Sequence, residues 1–183
     1  MNWKPALVVL KDQAVAKNLK MIVRYLLPSD WNAVASIYKE GIATGLATFE
    51  KNVPSWETWN TSHMELCRIV VEDENKVVGW AALTPVSDRC VYNGVAEISV
   101  YVAKGQRGKG IGSKLLEELI KLSEAEGIWT LQSGIFPENV PSIELHKKMG
   151  FRIVGFKEKI GKLDGVWKDN CILERRSKIV GVD

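Results

Sequence analysis

The chain's 183 residues, 46% apolar and 26% charged, suit a single globular domain with a sizeable core. A net charge of +3 with both signs spread along the sequence argues against a nucleic-acid partner, which calls for a basic stripe, but allows one local basic site. Two histidines are too few for a metal centre of the zinc type, no apolar run reaches the ~20 residues of a membrane span, and three cysteines without CxxC spacing read as reduced thiols of a cytoplasmic protein.

Residues 1–20 read as an extension before the fold. Met21 to Leu27 is predicted as a strand closed by Pro28, with Ser29 and Asp30 as helix caps. Trp31, Val34, Tyr38 and Ile42 give one helical stripe, ended near Gly41 to Gly45. A connection centred on Thr48, Phe49 and Glu50 leads to a second helix, begun at Pro54 and Ser55 and carrying Trp56, Trp59 and His63 on one side. Arg68 to Glu72 and Lys76 to Thr84 are expected to pair as strands about Asp73-Glu74-Asn75. A connection with Arg89 and Tyr92 precedes the strand Ala96 to Val102.

After Gly127 come a strand from Trp129 to Ile135 and a helix begun near Asn139 and ended at Gly150. Two last strands, Phe151 to Lys159 and Val166 to Glu174, enclose a turn expected to hold Gly161 and Gly165. The order β-α-α-β-β-β-α-β-α-β-β predicts an α+β domain over residues 21–176, a central mixed sheet with helices on both faces, and a tail at 177–183.

The most informative stretch is A-E-I-S-V-Y-V-A-K-G-Q-R-G-K-G-I-G-S, where an apolar strand runs through a glycine turn into a helix that starts at Ile111. Glycines let a ligand approach the backbone, and the unpaired N–H groups of a helix start favour an anion such as a phosphate. The P-loop pattern fails for want of its Gly-Lys-Ser/Thr, and a dinucleotide fingerprint fails because Ser113 stands where a third glycine is needed. What fits is R-x-x-G-x-G at Arg107, Gly110 and Gly112, which resembles the pyrophosphate loop of the GNAT superfamily of N-acetyltransferases.

Asn139 to Phe151, N-V-P-S-I-E-L-H-K-K-M-G-F, resembles that superfamily's second block, and the resemblance covers about residues 21–175. Within the superfamily, A-T-F-E at 47–50, P-S-W at 54–56, A-E-I-S-V-Y-V at 96–102 and G-K-L-D-G-V-W-K-D at 161–169 are similar to the phosphinothricin and methionine sulfoximine acetyltransferases. The resemblance implies a GNAT fold with a mostly antiparallel sheet, acetyl-CoA as co-substrate, a small amine as acceptor and a homodimer.

Acetyl transfer needs a neutral amine, a stabilised carbonyl oxygen and a departing thiolate. No nucleophile for a covalent intermediate is evident, so direct attack in a ternary complex is expected. Glu97 is the expected general base, acting through water. It is a carboxylate within an apolar strand, and burial there would suit it to proton transfer; pairing with Arg89 is the alternative. The oxyanion donors are expected from the β edge at Ser99 to Val102.

By resemblance, the coenzyme site comprises Val100, Tyr101, Val102, Arg107, Gly108, Lys109, Gly110, Ile111, Gly112, Ser113, Asn139 and Ser142. Val100 and Val102 would pair with pantetheine, and Asn139 would contact it. His146, protonated, is an expected acid for the leaving thiolate, with a hydrogen bond to a loop or partner chain as the alternative; the Tyr101 hydroxyl lies nearby, with packing as its alternative. The acceptor would meet Phe49, Glu50, Arg89, Tyr92 and Lys162, with Trp167 and Asp169 completing the pocket; Trp167 and Trp56 could equally be core or dimer packing. Other amines (polyamine, aminoglycoside, protein N-terminus) and a CoA-binding module without catalysis are the competing readings.

Overall fold

A computed structural model describes residues 21–182; the 1–20 extension lies outside the described residues. Strand β1 (Ile22–Tyr25) is followed by helices α1 (Trp31–Ile42) and α2 (Trp56–Ser62), then β2 (Arg68–Asp73), β3 (Lys76–Pro85) and β4 (Val95–Val102). Helix α3 (Ile111–Ala125), β5 (Thr130–Ile135), α4 (Val140–Lys148), β6 (Arg152–Leu163) and β7 (Val166–Arg176) complete the fold in the predicted order.

Alternation along the central strands divides the core in two. Ile69, Val71, Ala81, Leu83 and Ile98 face one side and pack on Leu115 and Leu119 of α3, with Ile143 and Leu145 of α4 alongside. Val70, Trp80 and Ala82 face the other and meet Val34 and Tyr38 of α1 and Trp59 of α2. Each fully buried large side chain contributes roughly 1.5–3 kcal/mol, so the two layers fix which face every β4 residue presents. Even-numbered Ala96, Ile98, Val100 and Val102 belong to the α3 side, and Tyr101 to the α1 side.

The sheet runs β1-β2-β3-β4-β5-β7-β6 and is antiparallel except between β4 and β5. That parallel pair matches only Val95–Glu97 with Thr130–Gln132. Beyond it β4 continues to Val102 with β3 on one side and, among the described residues, nothing paired on the other. The sheet therefore splits open after Glu97, leaving alternate backbone N–H and C=O groups of β4 facing a gap.

Local chemistry departs from expectation at two places. Asp30 precedes α1 but makes no side-chain cap; its carboxylate accepts the Leu27 N–H at 2.8 Å and pairs with Arg24 at 2.7 Å. Gly161 is not in the final turn, which is Asp164-Gly165; it lies within β6, after a bulge that fits Lys157–Gly161 against only Lys168–Asn170. The Asp169 carboxylate accepts the bulge N–H of Lys159 at 2.7 Å and holds it in place.

Candidate active site

The glycine turn is built as an anion cradle. Gly110 has φ 80° and ψ 2°, a left-handed conformation that only glycine adopts freely, and it turns the chain directly into the first residue of α3. Among the described residues no side chain caps this 15-residue helix. The helical ladder begins with Lys114 N–H to Gly110 C=O at 3.1 Å, and no acceptor among the described residues meets the N–H groups of Ile111, Gly112 or Ser113. Arg107 is tied across the turn, its Nε donating to Val102 C=O at 3.3 Å. The unsatisfied amides, the open cradle and the guanidinium fit a pyrophosphate.

The cradle ends a cleft of about 620 Å³ that follows the unpaired edge of β4. Every residue expected at the coenzyme site lines it except Lys109, whose Nζ donates to Gln106 Oε1 at 2.8 Å. A second cavity of about 230 Å³ opens on the same gap, walled by Glu97, Ser99, Ser133 and Asn170. The two share Ala47, Val100, Tyr101, Asn139, Ser142 and His146, so they meet at the splayed strands.

Glu97 stands in the smaller cavity, but the burial expected of it is absent: the residue is exposed. The face it shares with Tyr101 is covered by α1 at Tyr101 and open at Glu97. Its alternative partner Arg89 makes no ion pair with it among the described residues.

His146 is 3% exposed. Its Nδ1 lies 2.8 Å from Ser142 C=O, which can only accept, so Nδ1 carries the proton of the neutral ring. Nε2 is then a bare lone pair, buried and without a partner. Burial lowers the imidazole pKa below its ordinary 6.5, outweighing the Ser142 carbonyl, which raises it. The protonated acid expected here would need a second proton at Nε2, which burial disfavours. The residue lines both cavities, at their junction. The Tyr101 phenol is its complement: burial raises its pKa far above neutrality, so it stays a donor.

Tyr101 holds its place through a glycine that sequence reasoning took only as a helix end. A Cβ on Gly41 of α1 would lie 2.6–2.7 Å from the Tyr101 ring. The ring cannot retreat, stacked on Trp80 at 4.7 Å and edge-on to Tyr38 at 4.8 Å. Glycine to alanine within a helix ordinarily stabilises by roughly 0.5–1 kcal/mol. Here overpacking of roughly 1–3 kcal/mol opposes it. Gly41→Ala is expected to lower the thermal midpoint by about 2–4 °C for each kcal/mol of net loss, as read by circular dichroism. A rise in the midpoint would contradict this packing.

The Asn139 side chain is also engaged within the fold. Its Nδ2 donates to Leu46 C=O at 3.2 Å and its Oδ1 accepts the Ser142 N–H at 3.4 Å, so the amide caps α4 and ties down the irregular connection 46–50. A second Nδ2 hydrogen and a second Oδ1 lone pair remain for the pantetheine contact expected of this side chain, which lines the cleft.

Of the expected acceptor residues, Phe49 lines the smaller cavity, edge-on to Phe136 at 4.7 Å. Glu50, Arg89, Tyr92 and Lys162 line neither cavity. Arg89 and Tyr92 pair with each other, 5.7 Å from guanidinium to ring, on the exposed connection before β4. Lys162 sits over Trp167 at 4.7 Å, across the β6–β7 hairpin. Trp167 is exposed there, Asp169 is spent on the bulge, and Trp56 packs on Trp31 and Trp59 in the core. Sequence reasoning named Ser99 only for its backbone and missed Ser133 and Asn170, which carry no local pattern.

A family model described as the acetyltransferase (GNAT) family matches residues 31–151. A Bacillus subtilis protein named "Putative phosphinothricin acetyltransferase YwnH" is 36% identical over 160 residues, covering 85% of this chain and 98% of the relative. The L-methionine sulfoximine/L-methionine sulfone acetyltransferase of Pseudomonas aeruginosa is 29% identical, covering 80% of this chain and 88% of the relative. Among solved structures, a phosphinothricin acetyltransferase from Sinorhizobium meliloti in complex with acetyl-CoA matches with a TM-score of 0.81 and 28% identity, covering 89% of this chain and 91% of that one. The split sheet, the uncapped glycine-led helix and these similarities agree: the chain belongs to the acetyltransferase (GNAT) family.

Proposed function

We propose that the protein is an N-acetyltransferase that moves the acetyl group of acetyl-CoA to the amine of a small amino acid or amino-acid analogue, by direct attack in a ternary complex. The observation that carries this reading is the junction of the two cavities. An elongated cleft ending in an anion cradle meets a smaller polar cavity containing Glu97. Acetyl-CoA supplies the acetyl group activated as a thioester. Arg107 to Gly112 hold its diphosphate, and the free edge of β4 at Val100 and Val102 lies along its pantetheine arm.

Glu97, through a water, removes a proton from the acceptor ammonium so that its lone pair is free. Unpaired N–H groups of β4 face the carbonyl oxygen as charge grows on it. As the N–C bond forms and the C–S bond breaks, the amine's second proton passes to His146 Nε2 and from there to the departing sulfur. The imidazole thus begins and ends neutral.

The names of the relatives point to phosphinothricin, methionine sulfoximine and methionine sulfone as acceptors. A homodimer is consistent with the exposed apolar side chains Phe156, Ile160, Val166 and Trp167 on the β6–β7 hairpin. A second copy there is the means by which further side chains would reach the open acceptor cavity. The unpaired thiols of Cys67, Cys90 and Cys171 accord with a reducing cytoplasm.

Release of free thiol from acetyl-CoA over an amine panel tests the reading. Turnover is expected with methionine sulfoximine, methionine sulfone or phosphinothricin. Turnover confined to polyamines, or tight CoA binding without any thiol release, would reject it.

A further inference from the structure

Two side-chain atoms of residues that line the smaller cavity are buried without a hydrogen-bond partner among the described residues: His146 Nε2 and Asn170 Oδ1. The mechanism above uses the first and leaves the second unexplained. Asn170 lies on β7, opposite Lys157 and next to the bulge that Asp169 pins through Lys159. Its position is therefore set by the strand and not by a mobile loop.

Room for its amide is made by a glycine on the neighbouring strand. A Cβ at Gly134 would stand 2.6 Å from Asn170 Nδ2 and 3.3 Å from Oδ1. Any other residue at 134 would push the amide aside. Gly134 lines the same cavity, together with Ser133, Glu97 and Phe49.

A buried polar atom without a protein partner is uncommon, and a cavity wall is where a ligand can supply the partner. A primary amide presents a donor and an acceptor side by side, whichever way it is turned. The group that answers it must accept at one atom and donate from the next.

We propose that Asn170 determines acceptor specificity, selecting amino acids whose side chain ends in adjacent hydrogen-bond donor and acceptor atoms. A sulfoximine, with its S=O and N–H, and a carboxamide have this character. A sulfone, like the ionised phosphinate of phosphinothricin, offers acceptors alone and leaves the amide oxygen unmet, so these acceptors are still used but bound less tightly. Sites built to bond a donor reject isosteres that lack it far more strongly than apolar pockets reject a change of size. The inference rests on the acetyltransferase reading for the identity of the ligand class, and its test separates the two.

Titration calorimetry of the CoA complex with methionine sulfoximine and with methionine sulfone is compared for the wild type, Asn170→Leu and Asn170→Asp. The wild type is expected to bind the sulfoximine at least about tenfold more tightly, ~1.4 kcal/mol. Asn170→Leu, similar in volume but without polar atoms, should bring the ratio near one while acetyl-CoA affinity and the thermal midpoint hold or the midpoint rises. Asn170→Asp keeps the shape but loses the donor, and should weaken both ligands.

Equal affinities in the wild type, or an unchanged ratio in Asn170→Leu, would overturn the proposal. So would a fall in the midpoint of ligand-free Asn170→Leu with the ratio preserved, which marks a structural asparagine. Discrimination without thiol release would reject acetyl transfer and leave Asn170's role standing. Turnover of both ligands at equal affinity would do the reverse.

Discussion

Glu97→Gln is expected to lower turnover at neutral pH by roughly 10²–10⁴-fold, the usual contribution of a positioned general base, with acetyl-CoA affinity retained. Glutamine keeps the shape of the side chain at the cavity but cannot take the ammonium proton. The residue lies beyond the cleft that holds the coenzyme, so a titration with acetyl-CoA should not register the change. The pH dependence separates this role from simple positioning. In the variant the rate should climb with rising pH, as the fraction of amine already neutral in solution grows, and the gap to the wild type should narrow. An unchanged pH–rate profile would remove Glu97 from the proton path and leave His146 Nε2 as the acceptor nearest the reacting atoms.

Gly110→Val should weaken acetyl-CoA by more than tenfold, at least ~1.4 kcal/mol. An L-residue in the left-handed region costs roughly 1–2 kcal/mol, and a β-branched side chain tolerates it least. The strain is relieved by unwinding the entry to α3, and that withdraws the N–H groups of Ile111, Gly112 and Ser113 from the cradle. Gly105 gives the control. It lies in the short 3₁₀ turn Lys104–Gln106, outside the left-handed region, and a Cβ there meets nothing within 4 Å. Gly105→Ala should therefore bind acetyl-CoA as the wild type does. Calorimetry on both variants, with circular dichroism to show that each is folded, decides the point. Normal affinity in Gly110→Val would falsify the cradle.

How much was legible in the sequence follows from the range over which each feature is determined. The order of elements is written in local periodicity and was read correctly, down to the Glu74-Asn75 hairpin, whose two residues both take positive φ. The cradle was legible for the same reason: glycine turn, basic residue and helix start are contiguous. The misplacement of Gly161 shows the limit, because the bulge that carries it depends on a carboxylate from the opposite strand. The acceptor cavity was legible only in part. Ser99, Ser133 and Asn170 come from three strands and converge only once the sheet is assembled, whereas Arg89 and Tyr92, neighbours in sequence, satisfy one another outside it. Glu97's exposure was illegible because it depends on how far α1 reaches across β4. The proton on His146 was illegible too, being fixed by the Ser142 carbonyl one helical turn back.

The three-residue parallel pairing of β4 with β5 has a bearing on the cell as well as on the reaction. Where those strands part, a bound coenzyme would take the place of the missing ladder and bridge the two halves of the sheet. Any molecule that binds only the folded chain adds to its stability in proportion to the logarithm of its concentration, about 2.7 kcal/mol at a hundred times its dissociation constant. The lifetime of this protein against proteolysis should then rise and fall with the acetyl-CoA pool, so that a starved cell clears it faster than a fed one.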